Sequence, residues 1–461
     1  MLSCPSLKRP GDLYWILNDE KSVMGMKWKD WDRNIKVRLL GEFVINLLFW
    51  MFFPYMAIYF SDQLGKEQAG MLLVASQLVG VVTNLVGGYC ADTFGRKRMM
   101  VIAGAGQAVS FAVFALANSP WLDSPVLTFL AFTALGLFGS LYWPASHAMI
   151  ADVVPEKNRS EVFAVFYTSI NISVVFGPAL GSIFFFDYRF ELLLACTIVG
   201  IMLTFVLQKY IRETVPEKKQ IAGDQSGTPK KWNRVILDQL KDYRVIAKDK
   251  LFLLFILAGI LVAQTFMQLD LLIAVYTTEK VPAQTLLHLG NWSFSLTGEK
   301  AFGYIVSTNG LLVALFTVFM SKWMNQYKEG NVFVISSLLY GVAMLLYGNT
   351  TILWFLLLAI AIFTAAELMV VGIQESFISK LAPAHMRGQY FAAAGLRYSI
   401  GRSLAPLAIP LTLWIGFRWT FFLLFVLTVI SAFMYHVMFR LHDKKLAAEN
   451  KKEAVAPQSA G

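Results

Sequence analysis

Gly88-Tyr89-Cys90-Ala91-Asp92-Thr93-Phe94-Gly95-Arg96-Lys97-Arg98 is a charged, glycine-punctuated turn that leaves one apolar run, 69–91, and enters another, 99–117. Three consecutive bases between segments of this length mark a short loop at a membrane surface, because lysine and arginine are retained on the cytoplasmic side of a bilayer. Gly88 stands one helical turn before Asp92 and permits close helix approach, and Gly95 permits the tight turn.

The rest of the chain agrees. It is 57% hydrophobic and 15% charged, with 37 Phe in 461 residues and a mean hydropathy of +0.56, which excludes a water-soluble globular protein. A spanning helix needs roughly 20 mostly apolar residues, since the hydrocarbon core is about 30 Å thick and each residue rises about 1.5 Å. Such runs occur at 39–61, 69–91, 99–117, 126–150, 161–186, 191–208, 251–277, 302–320, 331–348, 352–373, 390–415 and 418–439. They are continuously apolar rather than alternating, so helices and not a barrel are expected. These are spans one to twelve.

With both termini inside, 33 of the 40 Lys and Arg fall on the inner side. Only Lys66, Arg189, Lys280, Lys300 and Arg418 fall outside. That split orients the chain with both ends in the cytoplasm. The net charge of +10 therefore reads as a bias toward the cytoplasm and its anionic lipids, not as a nucleic-acid footprint. Cys4, Cys90 and Cys196 have no disulfide or metal-ligand spacing and are expected to be free thiols. The first 35 residues carry no cleavable signal; Met24 and Met26 are alternative starts beside Met1.

The organisation expected is a tail, 1–37, a first six-helix bundle, 38–208, a linker, 209–250, a second bundle, 251–440, and a tail, 441–461. The linker is rich in Lys and Arg, with a possible amphipathic helix at 232–247. An internal repeat supports the division: Pro155, Arg159, Phe163, Ala164 and Pro178 match Pro383, Arg387, Phe391, Ala392 and Pro406 at an offset of 228. Duplicated halves place a substrate site between them near the bilayer midplane.

The opening stretch resembles the loop between spans two and three of the major facilitator superfamily, with Gly88, Asp92, Gly95, Arg96, Lys97 and Arg98 all in place. The resemblance implies two six-helix bundles around a central cavity. It also implies a latch in which Asp92 faces the start of span eleven, near Arg387 or the helix dipole beginning around Gly388. The corresponding loop of the second half, 321–330, is degenerate, with Asn325 about where the acid should lie. Gly177-Pro178-Ala179-Leu180-Gly181 of span five resembles the drug-antiporter motif in part, Ser173 and Ser182 replacing glycines. Proline there implies a kinked, closely packed hinge, although glycine and proline also serve ordinary packing in membrane helices.

Acids inside spans are costly and are rarely kept without a role. Asp270 in span seven and Glu367 in span ten stand in contexts like those of the proton-coupled multidrug exporters of Gram-positive bacteria, which implies proton coupling and binding of cationic drugs. The alternative is a static pair with Arg397 or Arg402 of span eleven. Glu42 of span one, with Arg38 one turn before it and Asn46 one turn after, is either a third coupling acid or half of a local pair. Span four lacks the arginine such exporters often carry, and Phe166 occupies a point in span five where relatives place an acid. His147 is a candidate shuttle or a structural residue. Asn46, Trp50, Tyr142, Trp143 and Phe266, with Phe52, Phe53 and Tyr55, are candidates to line a cavity for flat, apolar cations, against a default of interfacial packing.

The reading is a proton-driven exporter of lipophilic, often cationic compounds, working by alternating access as a monomer in the bilayer of a bacterial plasma membrane. Its partners are a small-molecule substrate and protons. No cofactor, metal or enzyme motif is evident, and the linker has no phosphate-cradling run for ATP. The rivals are a carrier of a sugar, peptide or other metabolite, and a non-transporting receptor or assembly factor.

Overall fold

The computed structural model describes residues 29, 31–214, 249–289, 292–381 and 387–455. The helix expected at 232–247 lies outside the described residues. Each of the twelve expected spans coincides with a helix. Among the described residues, nine helical stretches are long and apolar enough to cross a membrane, and one of them, Ala393–Ala448, holds the last two expected spans. Span two, Lys66–Phe94, has 29 residues, and span seven begins with the shorter apolar helix Lys250–Phe266.

Several spans are interrupted where the sequence dictates. Span one runs as Arg33–Phe52, a 3-10 turn at Phe53–Tyr55, and Met56–Leu64; Pro54 cannot donate to the helical ladder at that turn. Span eleven, Arg387–Leu404, passes through a 3-10 turn at Ala405–Leu407 containing Pro406. The last helix, Ala408–Val455, bends at Gly416, whose φ of 76° separates the end of span eleven from span twelve. Span five behaves differently. A single helix, Glu156–Asp187, continues through Pro178. Spans three, four and six are Arg96–Ala117, Pro125–Val153 and Arg189–Tyr210. Spans eight, nine and ten are Gly298–Met324, Glu329–Asn349 and Leu353–Leu381.

Two hairpins lie at the end remote from the basic loops: β1 (Asn118–Ser119) with β2 (Leu122–Asp123), and β3 (Gln284–Leu289) with β4 (Trp292–Leu296). Gln284 at the start of the second hairpin accepts from the Leu353 N–H at 3.0 Å, capping span ten. At this end Trp121 and Trp414 are 80% and 78% exposed, the habit of tryptophan at a membrane–water boundary. Cys90 and Cys196 are free.

Within the first six spans, span three packs on spans four and six, span two on span four, and span five on span one; within the last six, span nine packs on spans ten and twelve, and span seven on spans eleven and twelve. Across the two sets, span five meets span eight and span two meets span eleven. Small residues make these crossings close. A Cβ at Gly303 would lie 2.8 Å from the Pro178 carbonyl oxygen, and one at Gly310 would lie 3.0 Å from Val174.

The buried apolar residues are distributed unevenly along the bundle. Remote from the basic loops, one cluster joins both sets of spans, from Phe52 and Phe60 through Leu272, Phe302 and Phe421. Toward the basic loops the clusters divide: Phe252, Phe333 and Phe377 belong to one, Met100, Met149 and Leu207 to another. The apolar core is therefore continuous across both sets of spans at the remote end, which is closed, and divided at the basic end.

Candidate functional site

Span seven loses its helical ladder at 267–271, and Asp270 sits in that break. The polar residues just before it compete with the backbone for hydrogen bonds. The Thr265 hydroxyl donates to Leu261 O at 3.0 Å, and Gln268 Nε2 donates to Gln264 O at 3.0 Å. Leu271 leaves the helical region at φ −121°, ψ −90°. Gln268 O then accepts from both Leu271 N and Ile273 N, at 3.3 and 3.0 Å, before Leu272–Lys280 resumes the helix. Gln268 Nε2 also donates to Ala405 O, 3.1 Å away in the turn of span eleven, so the two interruptions are tied together.

Asp270 Oδ1 is buried with no hydrogen-bond partner. Among the described residues neither Asp270 nor Glu367 forms an ion pair with Arg397 or Arg402. Arg402 is the cation that acts on Asp270 through space, and Asp270 in turn acts on Glu367. Glu367 Oε2 accepts from Asn309 Nδ2 at 3.2 Å, and that amide also donates to Thr364 Oγ1 at 2.9 Å. Span eight thus fixes the carboxylate of span ten. Tyr167 of span five, 48% exposed, and Tyr340 of span nine both lie within electrostatic reach of Glu367 and Tyr398. Asp270, Glu367 and Arg402 therefore form one electrostatic cluster, with Tyr167 of span five within its reach.

Arg397 is separate. Its guanidinium lies 5.0 Å over the rings of both Phe255 and Tyr398, and its stem packs against Gly259.

Glu42 belongs to a second polar centre. Arg38 Nε meets Glu42 Oε1 at 2.9 Å, and the Tyr142 hydroxyl donates to the same oxygen at 2.8 Å. Arg38 Nη1 donates to Ser146 O at 2.8 Å, and Arg38 also bonds the Ser146 hydroxyl. Its guanidinium stands 5.1 Å over Phe166. The cation missing from span four is thus supplied against that span by span one, over the residue where an acid was sought. The i, i+4 spacing made Arg38 with Glu42 visible in sequence; Tyr142 and Ser146, over 100 residues away, gave no such signal.

Of the aromatic candidates, Trp143 is 49% exposed and contacts His147, which stacks on Phe163. Trp50 lies beside Phe49 and Phe53, and Asn46 is half-buried on the same helix. Phe266 stacks on Phe363 and meets Tyr340 edge-on. Gly177 and Gly181 press span five onto span one: a Cβ at Gly177 would lie 2.5 Å from the Trp50 Cβ, and one at Gly181 would collide with Met51 O. The Tyr55 hydroxyl donates to Pro178 O.

In the basic loop Gly95 takes φ 101° and joins the helices of spans two and three. Arg96 Nε pairs with Asp152 of span four at 3.3 Å. Glu213, just past span six, accepts from the Arg96 and Lys97 N–H groups at 2.9 and 3.1 Å. A carboxylate at a helix N-terminus is favourable, but a lone acid after span six carries no recognisable motif, so sequence reading missed it. Arg98 is exposed. Gly88 and the side chains of Asp92 and Arg387, on which the latch rests, lie outside what the structure describes.

The chain is similar to known proteins in sequence and in fold. The family model "Major Facilitator Superfamily" matches residues 38–298 and 282–460. A "Na(+), Li(+), K(+)/H(+) antiporter" of Planococcus maritimus is 55% identical over 92% of this chain and all of its own length. "Multidrug resistance protein MdtH" of Shigella flexneri is 23% identical over 83% of this chain and 85% of its own. Among solved structures, a POT family transporter in complex with a thioalcohol-conjugated peptide superposes with a TM-score of 0.70 at 15% identity, covering 90% of this chain and 97% of that one; at that identity the likeness is one of fold.

Proposed function

The chain belongs to the major facilitator superfamily, and from that premise we propose that it exchanges protons for monovalent cations across a bacterial plasma membrane. It is a secondary transporter; the cargo is what we assign. The observation that carries the assignment is the Asp270 carboxylate, buried in the break of span seven without an ion-pair partner and coupled to Glu367. A carboxylate so placed accepts one positive charge at a time, and a proton and a metal cation compete for it. The full-length likeness to a Na(+), Li(+), K(+)/H(+) antiporter favours inorganic cations over drugs.

In this reading the basic end faces the cytoplasm and the first and second bundles, 38–208 and 251–440, rock about the crossings of spans five and eight and of spans two and eleven. In the proposed cycle the form parted at the basic end admits a cytoplasmic cation. A proton arriving from outside, when the outer cluster parts, displaces it. Asp92 facing Arg387 latches the inner end, and the chain works as a monomer.

A second reading, export of lipophilic cations by the same cycle, is favoured by the exposed Trp143 and by the likeness to MdtH. One experiment separates the two. In everted vesicles carrying an imposed pH gradient, Na+, Li+ or K+ should dissipate the gradient in proportion to the amount of this protein. A gradient that responds to lipophilic dyes and ignores the inorganic cations would select the second reading.

A further inference from the structure

The break in span seven holds a second orphan besides Asp270. Gln268 is fully buried, its Nε2 is committed to Gln264 O and Ala405 O, and its Oε1 has no partner. The carbonyls of Met267, Leu269 and Asp270 accept no backbone hydrogen bond among the described residues. Gln268 reaches span eleven through Ala405, and Arg402, one turn earlier on that span, is the cation that acts on Asp270. Acceptor oxygens that face no donor are rare in buried structure and call for an ion or a water. Unwound backbone within a spanning helix is where carbonyl oxygens coordinate small cations.

We propose that Gln268 Oε1, Asp270 Oδ1 and the freed carbonyls of Met267, Leu269 and Asp270 form the seat of a dehydrated alkali cation. The inference rests on the cation-exchange reading and names the atoms that would do the binding. Charge sets the valence. With Asp270 and Glu367 both ionised against Arg402, one negative charge is left over, which a single monovalent cation neutralises and a divalent ion would overshoot. Arg397 lies over Phe255 and Tyr398 instead and forms no ion pair with either acid among the described residues. A hard cation prefers such uncharged and carboxylate oxygens, whereas an organic cation would have nothing to coordinate.

The test uses the whole chain reconstituted in proteoliposomes, with Na+, Li+ and K+ each added to a preset pH gradient. Gln268→Met removes the oxygen at nearly constant volume, and Gln268→Asn withdraws it by one methylene. We expect both to raise the KM for Na+ at least tenfold and to change the ratio of the Na+, Li+ and K+ constants, a readout that loosened packing alone would not move. Wild-type constants and selectivity in both variants would overturn the seat while leaving exchange intact; no exchange by the wild type would overturn the functional reading and the seat with it. Should the variants fail to fold, the wild-type protein still decides. Na+ but not choline should protect Asp270 from dicyclohexylcarbodiimide, read by mass spectrometry, and equal labelling in both salts would overturn the proposal.

Discussion

Asp270 and Glu42 are both intramembrane acids in the sequence, and their surroundings separate them. Glu42 receives Arg38, Tyr142 and Ser146; one oxygen of Asp270 receives nothing. A carboxylate with three donors is fixed in place and ties spans one and four together, so we place it outside the transport cycle. Removing one partner of a buried ion pair costs about 3–5 kcal/mol because the other charge is stranded. We therefore expect Arg38→Met to lower the unfolding temperature in detergent more than Arg38→Met with Glu42→Gln does. An equal or larger loss in the double variant would show that the guanidinium acts through its contact with Phe166 instead. Asp270→Asn keeps the shape of the side chain and removes its charge. It should insert normally and lose at least about tenfold in cation-driven proton flux, the loss that about 1.4 kcal/mol represents.

At the scale of elements, the spans were legible because a continuous apolar run of this length has only one way to satisfy its backbone in lipid. A cause was legible at Pro54, Pro406 and Gly416, but the sequence reading expected a hinge only at Pro178, where the helix runs on. The break at 267–271 was not legible, because Met-Gln-Leu-Asp is no richer in helix breakers than its flanks; the cause is competition by Thr265 and Gln268 for carbonyls, together with a partner in span eleven that is 137 residues away. Hairpin β3–β4 was likewise hidden, since it lies in a segment read only as a loop. Span five and span eight cross closely between the halves. Introducing Val at Gly303 drives a methyl-bearing carbon into the Pro178 carbonyl and the Tyr55 hydroxyl, an overpacking of about 1–3 kcal/mol. We expect Gly303→Val to admit a thiol reagent to a cysteine placed at Ser182, which is buried beside it; unchanged protection would show that the crossing tolerates the bulk.

Across the whole molecule, the closed end is held by more than apolar contact. Lys66, at the start of span two, pairs with Glu279 at the end of span seven at 2.7 Å and lies 4.5 Å over Phe417. Because this pair joins the two halves, Lys66→Glu should favour opening of that end and slow the return step, and adding Glu279→Lys should restore the wild-type rate. A double variant as slow as the single one would exclude an ionic latch. The central claim is that a proton and a metal cation occupy one buried carboxylate site in turn. Proton release on cation binding tests it most directly: purified protein in weakly buffered detergent, with a pH indicator, titrated with NaCl or choline chloride. The account predicts release of a proton with Na+ and none with choline, and its loss in Asp270→Asn. An undiminished release from Asp270→Asn, or none from the wild type, would contradict it.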